Sequence, residues 1–417
     1  MSAKLAFLAV LTLTLSTVAG AQSGASFCSA HADKLYCLTP NLYANPTPDP
    51  FTAVLSTLGS QLGMVPLASP ASGIIYSMDP SLKIPVPSGT ETFGPVLVER
   101  GETIGAHKLF AAFTFQHFSF SSIDGVNLGK VPILFNVCDP FGQCAPIQTN
   151  NRISPTVNQY AFFGTYGVTT RIDISLAVPI IDSTLKVAAT SCTMPYCQGP
   201  QYVNNGQVSQ IVFQPISKQG SATGIGDIVI RGKGLVFRGE KFRVAAGVDV
   251  RVPSGDALNF QGTGAPGAKP FAAVSRTGRI APHVNAGYQW NGNSIIGSST
   301  PGQSGKLPSN FFWDAGADAG ATKYLTFAAD VLGEYVESAL RLQPVTITPP
   351  PNTQVPTPVP VQSVAISRGS FSTLKGAFGV KVKPFGHFLI SGNVLLSLSH
   401  NGLRNDPVPL VGASYTF

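Results

Sequence analysis

Residues 225–252, IGDIVIRGKGLVFRGEKFRVAAGVDVRV, separate cleanly by parity. In the second half, Phe242, Val244, Ala246, Val248, Val250 and Val252 fall on even positions. Lys241, Arg243, Ala245, Gly247, Asp249 and Arg251 fall on odd ones. The first half sorts in the same way, with Ile228, Ile230 and Val236 on one side and Asp227, Arg231 and Lys233 on the other. A period of two without slippage specifies β-strands, and the break at Arg238, Gly239 and Glu240 specifies a hairpin. Each arm holds roughly 10 alternating residues, enough for a tilted strand to cross a bilayer core of about 25–30 Å.

A soluble sheet also has one dry and one wet face, so alternation alone does not place the hairpin in a membrane. The connections discriminate better. Tight turns alternate with long stretches rich in Pro, Gly and Asn, the asymmetry of a bacterial outer-membrane barrel. No stretch reaches the ~18 consecutive apolar residues of a spanning helix. A membrane protein of this sequence is therefore expected to close its backbone hydrogen bonds in a barrel.

The N-terminus points to export. Lys4, an apolar run over 5–15 and the small residues Ala19, Gly20 and Ala21 form a secretory signal peptide over residues 1–21. Residues 22–70 differ from the rest of the chain, with a Cys28/Cys37 pair, prolines at 40, 46, 48 and 50, and a short helix expected over 51–62. They read as a lumenal plug or periplasmic segment, or alternatively as a flexible leader. Residues 71–417 are assigned to the barrel.

Strands are expected near 73–82, 92–101, 106–120, 157–167, 171–180, 225–237, 241–252, 268–277, 279–290, 311–319, 323–336, 364–382, 386–399 and 409–417. The fold class is thus all-β, an antiparallel outer-membrane barrel of about fourteen strands, with both ends of the wall at the periplasm. Outer loops are expected at about 121–156, 181–224, 253–267, 291–310, 337–363 and 400–408. One carries TPPPNTQVPTPVP (348–360), whose rings lack N–H donors, and it reads as an extended surface spacer.

The chain has 27 basic and 20 acidic residues, a net charge of +7. The basic residues are scattered over inward strand positions and form no run, so nucleic acid is not an expected partner. Six cysteines lie in three close pairs, Cys28/Cys37, Cys138/Cys144 and Cys192/Cys197. Three local disulfides are the simplest arrangement in an oxidising compartment. Zinc is the competing idea, although Cys192 and Cys197 have no second Cys or His pair beside them. No metal or cofactor is expected.

Catalytic motifs are weak. GTGAPG at 262–267 fits GxGxxG, but Pro266 stands where a helix should begin and no βαβ unit surrounds it. The six histidines show no ligand spacing. His283 and His387 are inward by parity, where filling of a polar lumen is favoured over a Ser/His pair. What remains is charge: Asp227, Arg231, Lys233, Arg243, Asp249 and Arg251, with Arg171 and Asp173 on another strand, are expected to line the lumen. Asp314, Asp318, Asp330 and Glu334 face the same way. A one-residue slip would turn them all to lipid. Whether such charges shape a path or staple a closed interior stays open. The chain ends VGASYTF, with Tyr415 and Phe417 on one face. This resembles the signal read by the barrel assembly machinery, and it places two aromatics in an interface girdle.

Four stretches carry a family resemblance: FFGTYGVTTRIDISLAVP (162–179), TGIGDIVIR (223–231), VRVPSGD (250–256) and HVNAGYQWNG (283–292). They are similar to the outer-membrane transporter family associated with meta-pathway phenol degradation, over roughly residues 155–417. Pro253, Ser254, Gly255 and Asp256 stand where that family usually has Pro-Thr-Gly-Asp. The resemblance implies a barrel akin to fatty-acid and hydrocarbon uptake channels, with fourteen strands and an N-terminal plug. The expected function is passive uptake of small molecules across the outer membrane, aromatic or hydrophobic solutes among them, without enzymatic activity. A structural or adhesive barrel is the alternative, and an outer-membrane hydrolase the third.

Overall fold

A computed structural model describes residues 24–39, 50–63, 65–67, 76–78, 85–87, 92–139, 141–204, 207–351 and 355–417; the expected signal peptide lies outside them. Twelve strands form the wall: β1 (Leu109–Ile123), β2 (Cys144–Gly167), β3 (Ile172–Cys192), β4 (Ile228–Arg238), β5 (Phe242–Val252), β6 (Gly267–Arg276), β7 (Ile280–Asn291), β8 (Ser309–Thr322), β9 (Leu325–Ile347), β10 (Val361–Val382), β11 (Phe388–Ser397) and β12 (Val408–Thr416). Each pairs antiparallel with its neighbour in the chain, and β12 returns to β1 from Leu410↔Gln116 to Thr416↔Phe110. The ring is closed, so the belt has no free edge.

Parity works as the sequence implies. On β3, Ile174 is 52% exposed while its neighbour Asp173 is 1% exposed. Ile172, Leu176, Ile230, Val248, Val250, Val284, Phe327 and Ile390 continue the exposed apolar belt. An 11-residue strand such as β4 has the length that a bilayer crossing requires, about 9–11 residues tilted by roughly 45°. Exposed Tyr166, Phe242, Tyr324, Phe385, Tyr415 and Phe417 ring the rim where the turns are short, with Tyr415 and Phe417 in edge contact at 4.7 Å. The chain is an outer-membrane β-barrel, with this rim at the periplasm.

Twelve of the fourteen expected strands are the wall. The other two are not. Residues 76–78 pair with 85–87 in a separate small hairpin, and residues 92–101 carry no strand. The wall thus starts at Leu109 and not at 71. Residues 92–104 are buried almost throughout, Val96, Leu97, Val98, Glu99 and Arg100 among them. The segment packs inside the ring, its run Val96 to Val98 and the charges Glu99 and Arg100 all buried.

The expected outer loops 121–156, 181–224 and 337–363 contain much strand. β2, β3, β9 and β10 run for 24, 21, 23 and 22 residues, roughly twice what a bilayer needs. Val131–Cys138 and Ile216–Ile225 add to this crown along β2 and β3. The parity of β3 does not change on leaving the belt, but its polarity inverts. Inward positions become Ile181, Leu185 and Val187, all buried, while Asp182, Thr184 and Lys186 face out. The crown has the dry interior and wet exterior of a soluble protein, which is why its polar residues read as loops.

That dry interior holds the N-terminal segment. α1 (Gly24–Ala30) and a turn at Leu35–Cys37 lead to α2 (Pro50–Leu62). Pro50 suits the first helical position, where its missing N–H is no loss. Phe51, Val54, Leu55, Leu58 and Leu62 are buried in one cluster with wall residues Phe118, Ile153, Val157 and Ile181. Disulfides join Cys28 to Cys37, Cys138 to Cys144 and Cys192 to Cys197, the three local pairs. The last also anchors the Pro-rich connection. Tyr196 Oη donates to the carbonyl of Val359 at 3.0 Å and packs with Val355 and Val361. That connection is therefore docked along the crown, where a free spacer was expected.

The inversion on β3 makes a testable contrast. Leu176→Arg places a cation in mid-belt and should lower unfolding stability by about 2–4 kcal/mol, whereas Thr184→Arg in the crown should cost well under 1 kcal/mol. Urea unfolding in lipid vesicles measures both. Equal losses would mean that the belt ends elsewhere.

Candidate functional site

The lower lumen is organised by charge. Arg231 and Asp249 are cross-strand partners on β4 and β5, and Lys233 faces Asp173 on β3. Arg231 Nε and Nη2 donate to the two Asp249 oxygens at 2.5 and 2.7 Å. Arg231 and Lys233 stand two residues apart on the same face, and Glu99 of the inner segment reaches both. Its carboxylate accepts from Arg231 Nη1 and from Lys233 Nζ, the latter at 3.2 Å. The wall grips the rest of the segment through backbone groups. Lys381 Nζ donates to the carbonyls of Phe93 and Pro95 at 3.2 and 2.6 Å, and Asp173 accepts from Ile104 N at 3.0 Å. Ser275 Oγ accepts from Gly101 N at 3.0 Å and donates to Glu102 at 2.7 Å. Such charge-assisted bonds are the strong ones in a site of low dielectric. Nearby, His283 lies between Asp330 (Nε2 at 2.7 Å) and Asp318 (Nδ1 at 3.3 Å), so its buried neighbours are carboxylates.

The upper lumen is organised by the Pro253–Asp256 stretch. Asp227 accepts from Gly255 N at 3.1 Å and from Thr263 N and Oγ1 at 2.8 and 2.6 Å, tying both ends of the β5–β6 connection to the wall. Ser254 Oγ donates to the carbonyl of Gly226 at 2.7 Å. Asp256 caps the turn at Ala257–Asn259 by accepting from Leu258 N at 3.0 Å, and it also accepts from Lys34 Nζ at 3.1 Å. The loop thereby presents Phe260, in the left-handed region with φ 56°, to the helix. A side chain at Gly59 of α2 would come within 2.8 Å of the Phe260 ring. Gly59 thus weakens the helix by about 1 kcal/mol in propensity but permits this close approach. Tyr36, fully buried, shares a 2.7 Å hydrogen bond with Ser56 of α2, and burial pushes its phenol above the ordinary range.

Between plug and inner segment lies a cavity of about 240 Å³. One arc is apolar, built by Leu62, Val65, Leu67, Leu97, Val157, Phe163, Ala177 and Ile181. The opposite arc, on β4 to β9, carries Asp227, Arg231, Asp249, Arg251, Lys269, Asp314 and Glu334 together with Phe271 and Phe312.

Of the residues expected to line the lumen, Asp227, Arg231, Asp249 and Arg251 border this cavity, and Lys233 and Asp173 are buried beneath it. Arg251 Nη2 donates to Asn291 Oδ1 at 2.7 Å, and Arg251 Nε lies 3.6 Å from Asp227 Oδ2. Arg243 sits lower, its guanidinium donating to the carbonyls of Gly239 and Phe242 in the β4–β5 turn. Arg171 is not in the lumen. It falls in the β2–β3 turn, exposed, where strand parity no longer aims a side chain. His387 is likewise in the β10–β11 turn, 6.2 Å from the Tyr415 ring. Glu99 and Lys269 were missed, Glu99 because it belongs to no wall strand.

Residues 150–331 match the sequence model of the family described as "Putative MetA-pathway of phenol degradation". All four resembling stretches lie inside that span. No curated protein matches. Among solved structures, the chain is similar to the COG4313 outer membrane channel from Pseudomonas putida F1, with 12% identity, 77% of this chain and 100% of that one covered, and a TM-score of 0.45. It is also similar to the NanC porin (8% identity, 72% and 98% covered, TM-score 0.38). A third is a FadL homologue from Pseudomonas aeruginosa (9% identity, 83% and 96% covered, TM-score 0.31).

Glu99 is the member of the charge cluster that belongs to the inner segment. Glu99→Gln leaves two buried cations with one counter-charge fewer and should destabilise the barrel by on the order of 3 kcal/mol while raising bilayer conductance. Thermal unfolding with planar-bilayer recording checks this. An unchanged midpoint with unchanged conductance would show that the segment is held by packing.

Proposed function

We propose that this barrel is a passive outer-membrane channel for small amphipathic molecules, aromatic and hydrophobic ones included. The observation that carries this reading is the cavity between α2 and the 92–104 segment, with one apolar and one charged arc. A stapled, purely structural interior would have no need of such a space, since charges pair best where packing is tight. Ligand sites in proteins are typically concave, mostly apolar and provided with a few fixed polar groups. Transport of this kind couples to no reaction, and no catalytic step is assigned to the chain. We assign Tyr415 and Phe417 to recognition by the barrel assembly machinery, and residues 22–70 to the plug.

One observation favours a second reading, adhesion without transport. The disulfide-tied tips expose Phe141 and Met194, 71% and 70% accessible, on the outer rim. The test is reconstitution of the mature chain in planar bilayers and in vesicles, comparing arabinose with resorcinol after subtraction of protein-free vesicles. Discrete conductance with faster entry of resorcinol is expected. Passage governed by solute size alone would make it a general porin. A folded but silent barrel would favour adhesion.

A further inference from the structure

Within the charged arc, strand register places a compact patch around one aromatic ring. Phe271, Gly287, Phe312 and Glu334 form one row across β6, β7, β8 and β9. Asn285 and Asp314 are partners in the row beneath, and Asn310 lies in the row above. Gly287 leaves room for the Phe312 ring, which a side chain there would meet at 2.6 Å.

The patch has an excess of acceptors. Asp314 and Glu334 both border the cavity, and neither is in an ion pair among the described residues. Asn285 and Asn310 also border it, their side-chain carbonyl oxygens without a hydrogen-bond partner although the residues are only 3% and 5% exposed; Gln159, on the opposite arc and 6% exposed, is in the same state. Buried acceptors left unpaired carry an uncompensated desolvation cost, so a ligand that supplies donors gains from meeting them. The cations of the cavity are already engaged. Arg231 is tied to Glu99 and Asp249, and Arg251 to Asn291 and Asp227. Lys269 is paired in register with Asp249, and its ammonium lies 3.9 Å from the centre of the Phe312 ring. The chain's own lysine thus shows that this ring face accommodates an ammonium, through attraction of the cation to the π-face.

We propose that the cavity selects amphipathic organic cations: a primary ammonium on a small aromatic or alkyl body, with the ammonium received by Asp314, Glu334 and the amide oxygens beside Phe312 and the body against the apolar arc. An ammonium has three donors and no acceptor, which complements a wall of unpaired oxygens. A carboxylate of the same size would face two carboxylates, with Lys269 as the cation beside them. Five carboxylates border the cavity against three cations, and the balance points the same way. This assignment rests on the channel reading for its consequence, transport, but the site itself is measurable without it.

The test is calorimetric titration of the detergent-solubilised full-length mature barrel with 2-phenylethylammonium, 2-phenylethanol and 3-phenylpropanoate, with bilayer conductance recorded on the same preparation. The amine should bind about tenfold tighter than the alcohol, with the acid weakest. Asp314→Asn with Glu334→Gln should cut the amine-to-alcohol affinity ratio roughly tenfold, and Lys269→Met should raise it severalfold by removing the competing ammonium. Heat-modified gel migration confirms folding of each variant, and the gain expected for Lys269→Met does not depend on tolerance of the double variant. Equal binding of all three solutes, tighter binding of the acid, or an undiminished ratio in the double variant overturns the assignment. Conductance without amine preference overturns it while leaving the channel intact, whereas amine binding without conductance overturns the channel and, with it, the amine as a transported solute.

Discussion

In hydrocarbon, no backbone N–H or C=O can remain unpaired without a cost of several kcal/mol, and the closed ring follows from that constraint. Once twelve strands are paired in a circle, each side chain is assigned to one of two solvents by its parity alone. Register is then not adjustable strand by strand, because shifting one strand by a residue would exchange its faces. Arg231, Lys233, Asp249 and Asp173 lie inward with Ile174, Ile230, Val248 and Val250 outward on the same strands. The charges and the belt enforce the same register from opposite sides of the wall.

An inward charge still has to be neutralised. Arg231 pairs across the strands with Asp249, Lys233 faces Asp173, and both cations also hold Glu99 from a segment that belongs to no strand. The wall in this way dictates where residues 92–104 run. The same logic operates at the mouth with different chemistry, where Asp227 organises a loop and the loop presents Phe260 to α2. The PSGD stretch acts as a structural hinge-pin. Each of its polar groups is used to hold the β5–β6 connection against the wall and the N-terminal segment.

Much of this was legible in the sequence, and the limits are physical. Twelve wall strands could be read because belt positions alternate between lipid and lumen, a contrast visible in residue types. The crown could not, because Asp182, Thr184 and Lys186 face water there and Ile181, Leu185 and Val187 face a dry interior, so an inverted pattern reads as loop. Residues 92–101 were expected to be a strand, but Val96, Leu97 and Val98 are consecutive apolar residues followed by two charges, and the segment is buried inside the ring as irregular chain. Arg171 was assigned by extending strand parity one residue too far, into a turn. Local cysteine spacing was sufficient for the disulfides, since each bridge closes a single loop. The cavity patch around Phe312 depends on register across four strands, and no linear motif encodes it.

The two segments that border the cavity are held by different forces, and this sets what each can respond to. α2 is held by apolar burial against the crown, an interaction without direction and nearly indifferent to salt. The 92–104 segment is held by ion pairs and by backbone carbonyls bonded to Lys381, interactions with direction that weaken when a competing charge or water enters. A polar or charged solute in the cavity would compete directly for the groups that hold the 92–104 segment, whereas it has little to offer the apolar contacts of α2. An apolar solute has the opposite leverage. On the channel reading proposed above, such a compartment would distinguish solutes by which of the two segments they can loosen, and an amphipath addresses both.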